Sequence, residues 1–227
     1  MKRNIFYLSL LTGIFAASGM GTPVSAKTVI SEAGTYTLSG IYYSKVVVEL
    51  PEDASAELIL DHARILSKGH GIRIRSGRKV TLRLAEGSEN YIYTDDKAAI
   101  SCITDLEICG SGSLYIESNK KGITSDKSIS FTEGELTVAR CTEGMEAAFI
   151  EIGGGRIFIR AQDDGLNAAF GKKEGVTWEL HETDPYVRFE GGETVILADE
   201  DGIDSNGDIF FGGGTVLVNG SGSSTRR

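Results

Sequence analysis

The sequence is poor in the ligands that zinc prefers. Its three histidines, His62, His70 and His181, are scattered, and its three cysteines, Cys102, Cys109 and Cys141, have no C-x-x-C spacing. An odd cysteine count allows at most one disulfide, and the three read as small buried residues. No long stretch has a 3.6-residue hydrophobic period, which argues against an α-solenoid. Beyond the N-terminal leader there is no apolar run of ~20 residues, so no membrane-spanning helix is expected in the mature chain. Basic residues are in deficit, 23 against 32 acidic, for a net charge of −9. That balance argues against nucleic acid or an anionic membrane as a partner. It suits cations, or an anionic partner bridged by cations. The nine-residue glycine-rich calcium repeat is missing as well.

Residues 1–26 have the pattern of a signal peptide. Lys2 and Arg3 precede an apolar stretch from Ile5 to about Ala17, and Val24-Ser25-Ala26 fits the small-x-small cleavage rule. No cysteine lies near that site, which speaks against a lipoprotein. The expectation is an exported protein, secreted or at the cell surface, starting at Lys27. The remaining 27–227 suit one elongated domain.

A phrase recurs along the chain. It reads Lys121-Gly122-Ile123-Thr124, Glu143-Gly144-Met145-Glu146, Asp164-Gly165-Leu166-Asn167 and Asp201-Gly202-Ile203-Asp204, with glycines 22, 21 and 37 residues apart. Between the phrases lie two short alternating runs, such as Ile129-Ser130-Phe131 and Leu136-Thr137-Val138. Period-two alternation marks strands with one buried face. Glycines between the runs, as in Gly153-Gly154-Gly155, permit positive φ at sharp corners. Three strands and three corners per repeat predict an all-β right-handed parallel β-helix with coils of ~21–23 residues. Propeller blades would need about 40 residues each. Earlier coils are less regular, and the segment near Gly34 to Leu38 is expected to cap the stack. An insertion at about 170–185 breaks the period. It contains Trp178, the only tryptophan, which is either a pin for the loop or a stacking surface for a sugar ring.

Stacking the coils turns the phrases into columns. Glu143, Asp164 and Asp201 fall in one, Glu146, Asn167 and Asp204 in a second, and Asp163 and Glu200 add a third. Like carboxylates ~5 Å apart repel and raise each other's pKa, and a bound hard cation reverses that penalty. Calcium accepts six to eight oxygens in irregular geometry, and magnesium is less suited to such a column. Ca²⁺ is therefore the expected cofactor. An isolated Asp-Gly pair would simply be a turn.

The run from Asp201 to Gly207, followed by Ile209 to Val216, resembles a family signature, as do Asp163 to Ala168 and Lys121 to Ser125. Over about residues 95–220 the chain resembles the bacterial exported carbohydrate-binding proteins with a parallel β-helix related to pectate lyases. The resemblance implies calcium sites on the helix surface and binding of an acidic plant polysaccharide such as polygalacturonate. It implies no catalysis. On this reading Lys120, Lys121 and Trp178 are candidate sugar contacts, and both Lys120 and Lys121 are equally able to pair with the acidic column. A calcium-dependent lyase is the first alternative, and it would need Arg140 or Arg160 as base. A structural or adhesive solenoid is the second. A paired-carboxylate glycosidase ranks lower, because the acids form columns rather than one pair. An unpaired strand edge at the last coil would invite homo-association.

Overall fold

The computed structural model describes residues 27–170 and 184–220. Trp178, most of the insertion at about 170–185 and the leader lie outside the described residues. The described chain is all-β and coils about eight times, with every strand pairing parallel. Parallel pairing cannot be made by hairpins, so each strand pairs with the equivalent strand one coil later.

One face is an eight-stranded sheet of very short strands. In chain order these are β1 (Thr28–Ile30), β3 (Val46–Glu49), β5 (Ile72–Ser76), β8 (Ile100–Cys102), β11 (Ile123–Ser125), β14 (Met145–Ala147), β17 (Leu166–Ala168) and β19 (Ile203–Ser205). Ile100, Ile123, Met145 and Leu166 start successive rungs at intervals of 23, 22 and 21 residues, and Ile203 follows after 37. The intervals from Val46 to Ile72 and from Ile72 to Ile100 are 26 and 28, so the early coils are longer.

The other two faces belong to one bent twelve-stranded sheet. Its first face contains β6 (Lys79–Leu84), β9 (Asp105–Cys109), β12 (Ser128–Phe131) and β15 (Phe149–Ile152). Its second face contains β7 (Glu89–Thr94), β10 (Ser113–Ser118), β13 (Glu135–Cys141) and β16 (Arg156–Ala161). The long strands β4 (Ser55–Ser67), β18 (Tyr186–Ala198) and β20 (Asp208–Asn219) turn the corner and join the two faces. In β4 the bend falls at His62, which has φ 56°. The strand β2 (Gly34–Tyr42), where the cap was expected, pairs with β4 alone among the described strands.

Inward positions are almost wholly aliphatic, and Leu82, Ile108, Ile129, Val138, Ile159 and Phe189 are all buried. Identical apolar positions stack coil on coil, so the core is a continuous column. Most polar residues that enter it hold corners, while the buried Thr194 hydroxyl finds no partner among the described residues. Buried Asn90 accepts from the Ala63 N–H at 2.9 Å and donates to Ser88 Oγ at 2.8 Å and to the Ser113 carbonyl at 3.0 Å. The three cysteines are free and buried. Cys102 lies opposite Ser125, and each accepts an N–H two residues on, at 3.3 Å from Thr104 and 3.1 Å from Lys127. The thiol thus does a serine's work at a corner. Burial pushes the Cys141 thiol pKa up to about 12, which keeps it inert. At the other end of the stack, Phe211 and Leu217 of the last described strand are 65% and 61% exposed.

Candidate functional site

The repeated glycine is fixed by close approach rather than by positive φ. A Cβ on Gly165 would lie 2.2 Å from Ile196 Cγ2 and 2.5 Å from the Gly202 carbonyl oxygen. Gly122, Gly144 and Gly202 meet the same kind of obstruction, from Val138, Ile159 and Val218. No side chain fits between the incoming strand and the next rung. The corner glycines differ, with Gly110, Gly134, Gly155, Gly192 and Gly214 all at φ between 70° and 92°.

This tight packing aligns the flanking side chains in register. Thr124, Glu146, Asn167 and Asp204 are successive partners, as the sequence led one to expect. Backbone hydrogen bonds align a second column, Lys121, Glu143, Asp164 and Asp201, around the glycines. They also align a third, in which Thr142 donates to the Lys120 carbonyl at 2.9 Å, Asp163 to Thr142 at 2.9 Å and Glu200 to Asp163 at 3.3 Å. Each column begins basic or neutral and ends acidic.

The upper rungs are self-neutralised. The Lys121 ammonium lies 3.0 Å from Glu143 and also hydrogen-bonds Glu146. Burial works against that ammonium, but its bonds to Glu146 and Glu143 outweigh it and raise its pKa. Burial, and then the hydrogen bond with Glu146, raise the Glu143 pKa. Glu146 is also penalised by burial, yet its bonds to Glu143 and Lys121 hold it below its ordinary value. The two carboxyls thus share the lysine, and Glu143 is the more readily protonated of the pair.

Asp164, one rung on, is held differently. Asp164 Oδ1 accepts from the Asp201 N–H at 3.2 Å, and Oδ2 accepts from Asn167 Nδ2 at 3.3 Å. The Asp164 pKa is pushed up to about 6, first by burial and then by the charges on Asp163, Asp204 and Asp201, against the stabilising Asp201 N–H. Asp163, Asp201 and Asp204 thus stand close enough for their charges to act on the Asp164 carboxyl, beside the Asn167 amide. Among the described residues, no three His, Cys, Asp or Glu side chains stand close enough to grip a metal ion.

Above the acidic rungs, a surface cleft of ≈ 420 Å³ crosses the short sheet. Lys97, Lys120 and Lys121 line it, with Thr124, Thr142, Glu146, Asp96 and Asp126. Lys97 and Lys120 are exposed, and among the described residues neither forms an ion pair. Lys120 and Lys121 were legible as candidates from the sequence, but Lys97 was not. It precedes Ala98-Ala99-Ile100, where Ile100 pairs with Ile123 and alanine stands in the glycine position. Counting back from that pair would have set Lys97 beside Lys120. Arg140 and Arg160 are exposed on the long sheet and do not line the cleft.

Comparison with known proteins agrees with this architecture. The structure is similar to that of a polysaccharide lyase-like protein from C. thermocellum, solved as a gadolinium derivative. The TM-score is 0.71 at 28% identity, covering 86% of this chain and 85% of that one. No curated protein matches. Residues 25–227 match the family model described as carbohydrate-binding domain-containing protein, and the chain belongs to that family.

Proposed function

We propose that this protein binds an acidic, uronate-type polysaccharide without cleaving it, and that calcium assists. The cleft on the short sheet carries this reading. Lys97 and Lys120 are exposed there without ion-pair partners among the described residues, and they supply cationic donors next to threonine hydroxyls and carboxylates. Such a mixed rim suits a polymer with both carboxylates and hydroxyls. Family membership and the lyase-like neighbour support the carbohydrate part of the reading.

Calcium would draw on the lower set of Asp163, Asp164, Asn167, Glu200, Asp201 and Asp204, whose side chains would have to close on the ion, since no three acids among the described residues converge on one point. Its donors are all oxygens, the chemistry of a hard cation. The raised Asp164 pKa is the electrostatic cost that a cation would relieve. A bound ion would supply positive charge that attracts the carboxylates of an acidic sugar. At Glu143 and Glu146, calcium would have to displace the Lys121 ammonium. We also propose that the protein acts outside the cell after loss of residues 1–26. N-terminal sequencing of protein recovered from the medium tests that point, with Lys27 as the expected first residue.

The lyase alternative has its candidate bases outside the cleft, and product formation decides it. Arg140 and Arg160, the candidate bases, do not line the cleft. Titration of polygalacturonate into the protein with calcium or with chelator, alongside absorbance at about 235 nm for unsaturated product, tests the reading. Calcium-dependent heat without product is the expected result. Accumulating product would overturn the non-catalytic reading, and no heat in either condition would overturn binding.

A further inference from the structure

A second feature lies around the corner, on the second face of the long sheet. Tyr91, Tyr115, Thr137 and Phe158 are successive register partners on β7, β10, β13 and β16. All four side chains point outward, because their neighbours Ile92, Leu114, Val138 and Ile159 are buried. The Tyr91 and Tyr115 rings stack with centroids 5.8 Å apart and an interplanar angle of 22°. From the preceding rung, the Arg64 guanidinium lies 5.1 Å over the Tyr91 ring, and the Tyr91 hydroxyl donates to Glu117 at 2.9 Å. Tyr91 is thus fixed from both sides and holds one face of Tyr115. The other face of Tyr115 looks toward the Thr137 rung, and Tyr115 is 40% exposed.

Thr137 is short between two aromatic residues. Tyr115 and Phe158 are separated by two rung steps, ~9.6 Å. With carbon contacts of ~3.5–4.0 Å on each side, the gap admits one saturated six-membered ring. The Glu135–Arg156 ion pair borders one edge. Arg140, opposite Glu117, and Arg160 border the other. Both arginines are exposed, and among the described residues neither has an ion-pair partner. Arginines on neighbouring strands, each with a planar fork of donors, can together receive a carboxylate.

We propose that Tyr115, Thr137 and Phe158 form a pyranose-binding notch in which Arg140 and Arg160 take the carboxylate of an acidic sugar. The aromatic walls suit the C–H faces of the ring, and the arginines select for a uronate. Thr142, two residues after Arg140, lines the cleft on the short sheet. Notch and cleft therefore meet at one corner, and a single polymer crossing it reaches both. The inference rests on the acidic-polysaccharide reading and adds a second subsite to it.

Affinity electrophoresis through gels containing polygalacturonate, or an uncharged galactan, tests the notch. Wild type is compared with Tyr115→Ala, Tyr115→Phe, the double variant Arg140→Gln/Arg160→Gln, and the cleft variant Lys97→Gln/Lys120→Gln. Circular dichroism melts confirm that each is folded. Tyr115→Ala is expected to weaken binding about two- to twelvefold, the size of one aromatic stacking contact, and Tyr115→Phe to retain it. The arginine variant is expected to weaken retention on polygalacturonate but not on galactan. If Tyr115→Ala and the arginine variant both run like wild type while the cleft variant loses retention, the notch is overturned and the cleft stands. If wild type is not retarded in either gel, the function and the notch fall together.

Discussion

Glu143 and Asp164 occupy the same place on adjacent rungs, yet the molecule treats them differently. Glu143 sits with Glu146 under the Lys121 ammonium, which the chain supplies from the rung above. Asp164 faces Asp163, Asp201 and Asp204, and its main hydrogen-bond support is one backbone N–H and one amide. The backbone of the two rungs is the same, down to the obstructed glycine. A β-helix thus repeats its scaffold faithfully and leaves its chemistry to side chains. The upper rung carries an internal cation, Lys121, while on the lower rung burial and neighbouring charges raise the Asp164 pKa.

The common scaffold is tested first, by the largest effect. Gly144→Val and Gly165→Val each force a side chain into space held by a carbonyl and by Ile159 or Ile196. Each should cost about 3 kcal/mol, the upper end for overpacking. Urea unfolding should give similar losses at both sites, whatever the charge nearby. A tolerated substitution at only one would mean that the rungs differ in backbone as well as in charge.

Calcium should separate the rungs next. At a calcium concentration about a hundredfold above its Kd, wild type should gain about 2.7 kcal/mol. Asp201→Asn/Asp204→Asn should abolish the gain in thermal melts, and Glu146→Gln should leave it intact. A wild-type melt indifferent to calcium would remove the external cation from the comparison.

The internal cation is tested by Lys121→Met. The change strands two half-buried carboxyls and should cost about 1–2 kcal/mol at pH 7.5. That is below the loss for a fully buried pair, because the Lys121 side chain is 36% exposed. The loss should shrink near pH 4, where both glutamates can take up protons. An equal loss at both pH values would assign it to packing of the lysine stem instead.

Much of this contrast was legible before any coordinates. The glycine phrase marks the rungs because nothing larger fits there, and its period fixes which acids share a column. The alternating runs located the other two faces for the same reason, since each apolar residue stacks on its counterpart. Two things were hidden. The coil of Lys97 uses Ala98-Ala99-Ile100 in place of the glycine phrase, so its lysine was not aligned with Lys120. The cleft and the notch depend on which side chains are short beside tall neighbours on other coils. Thr137 looks ordinary in its own strand and gains meaning only between Tyr115 and Phe158. Likewise, the choice of Lys121 to bind Glu143 and Glu146 is made by side-chain reach, which spacing alone does not fix.

The smallest effect is the most direct test of the lower rung. Asp164 titrates from 3.8 unfolded to about 6 folded, so the native state holds the proton more tightly between those values. Stability must then fall as pH rises through that window and stay reduced above it. This is the opposite sign to a carboxylate stabilised by a partner. Asp164→Asn removes the penalty while keeping an oxygen for the Asp201 N–H. Without calcium, it should raise stability by about 1 kcal/mol at pH 7.5, a figure held down by solvent screening of a half-exposed group. At pH 3.5 the difference should vanish, because wild type is then protonated too. Urea melts at the two pH values read the sign directly. A variant destabilised equally at both would mean that the carboxylate is needed as an acceptor and that the lower rung is already compensated.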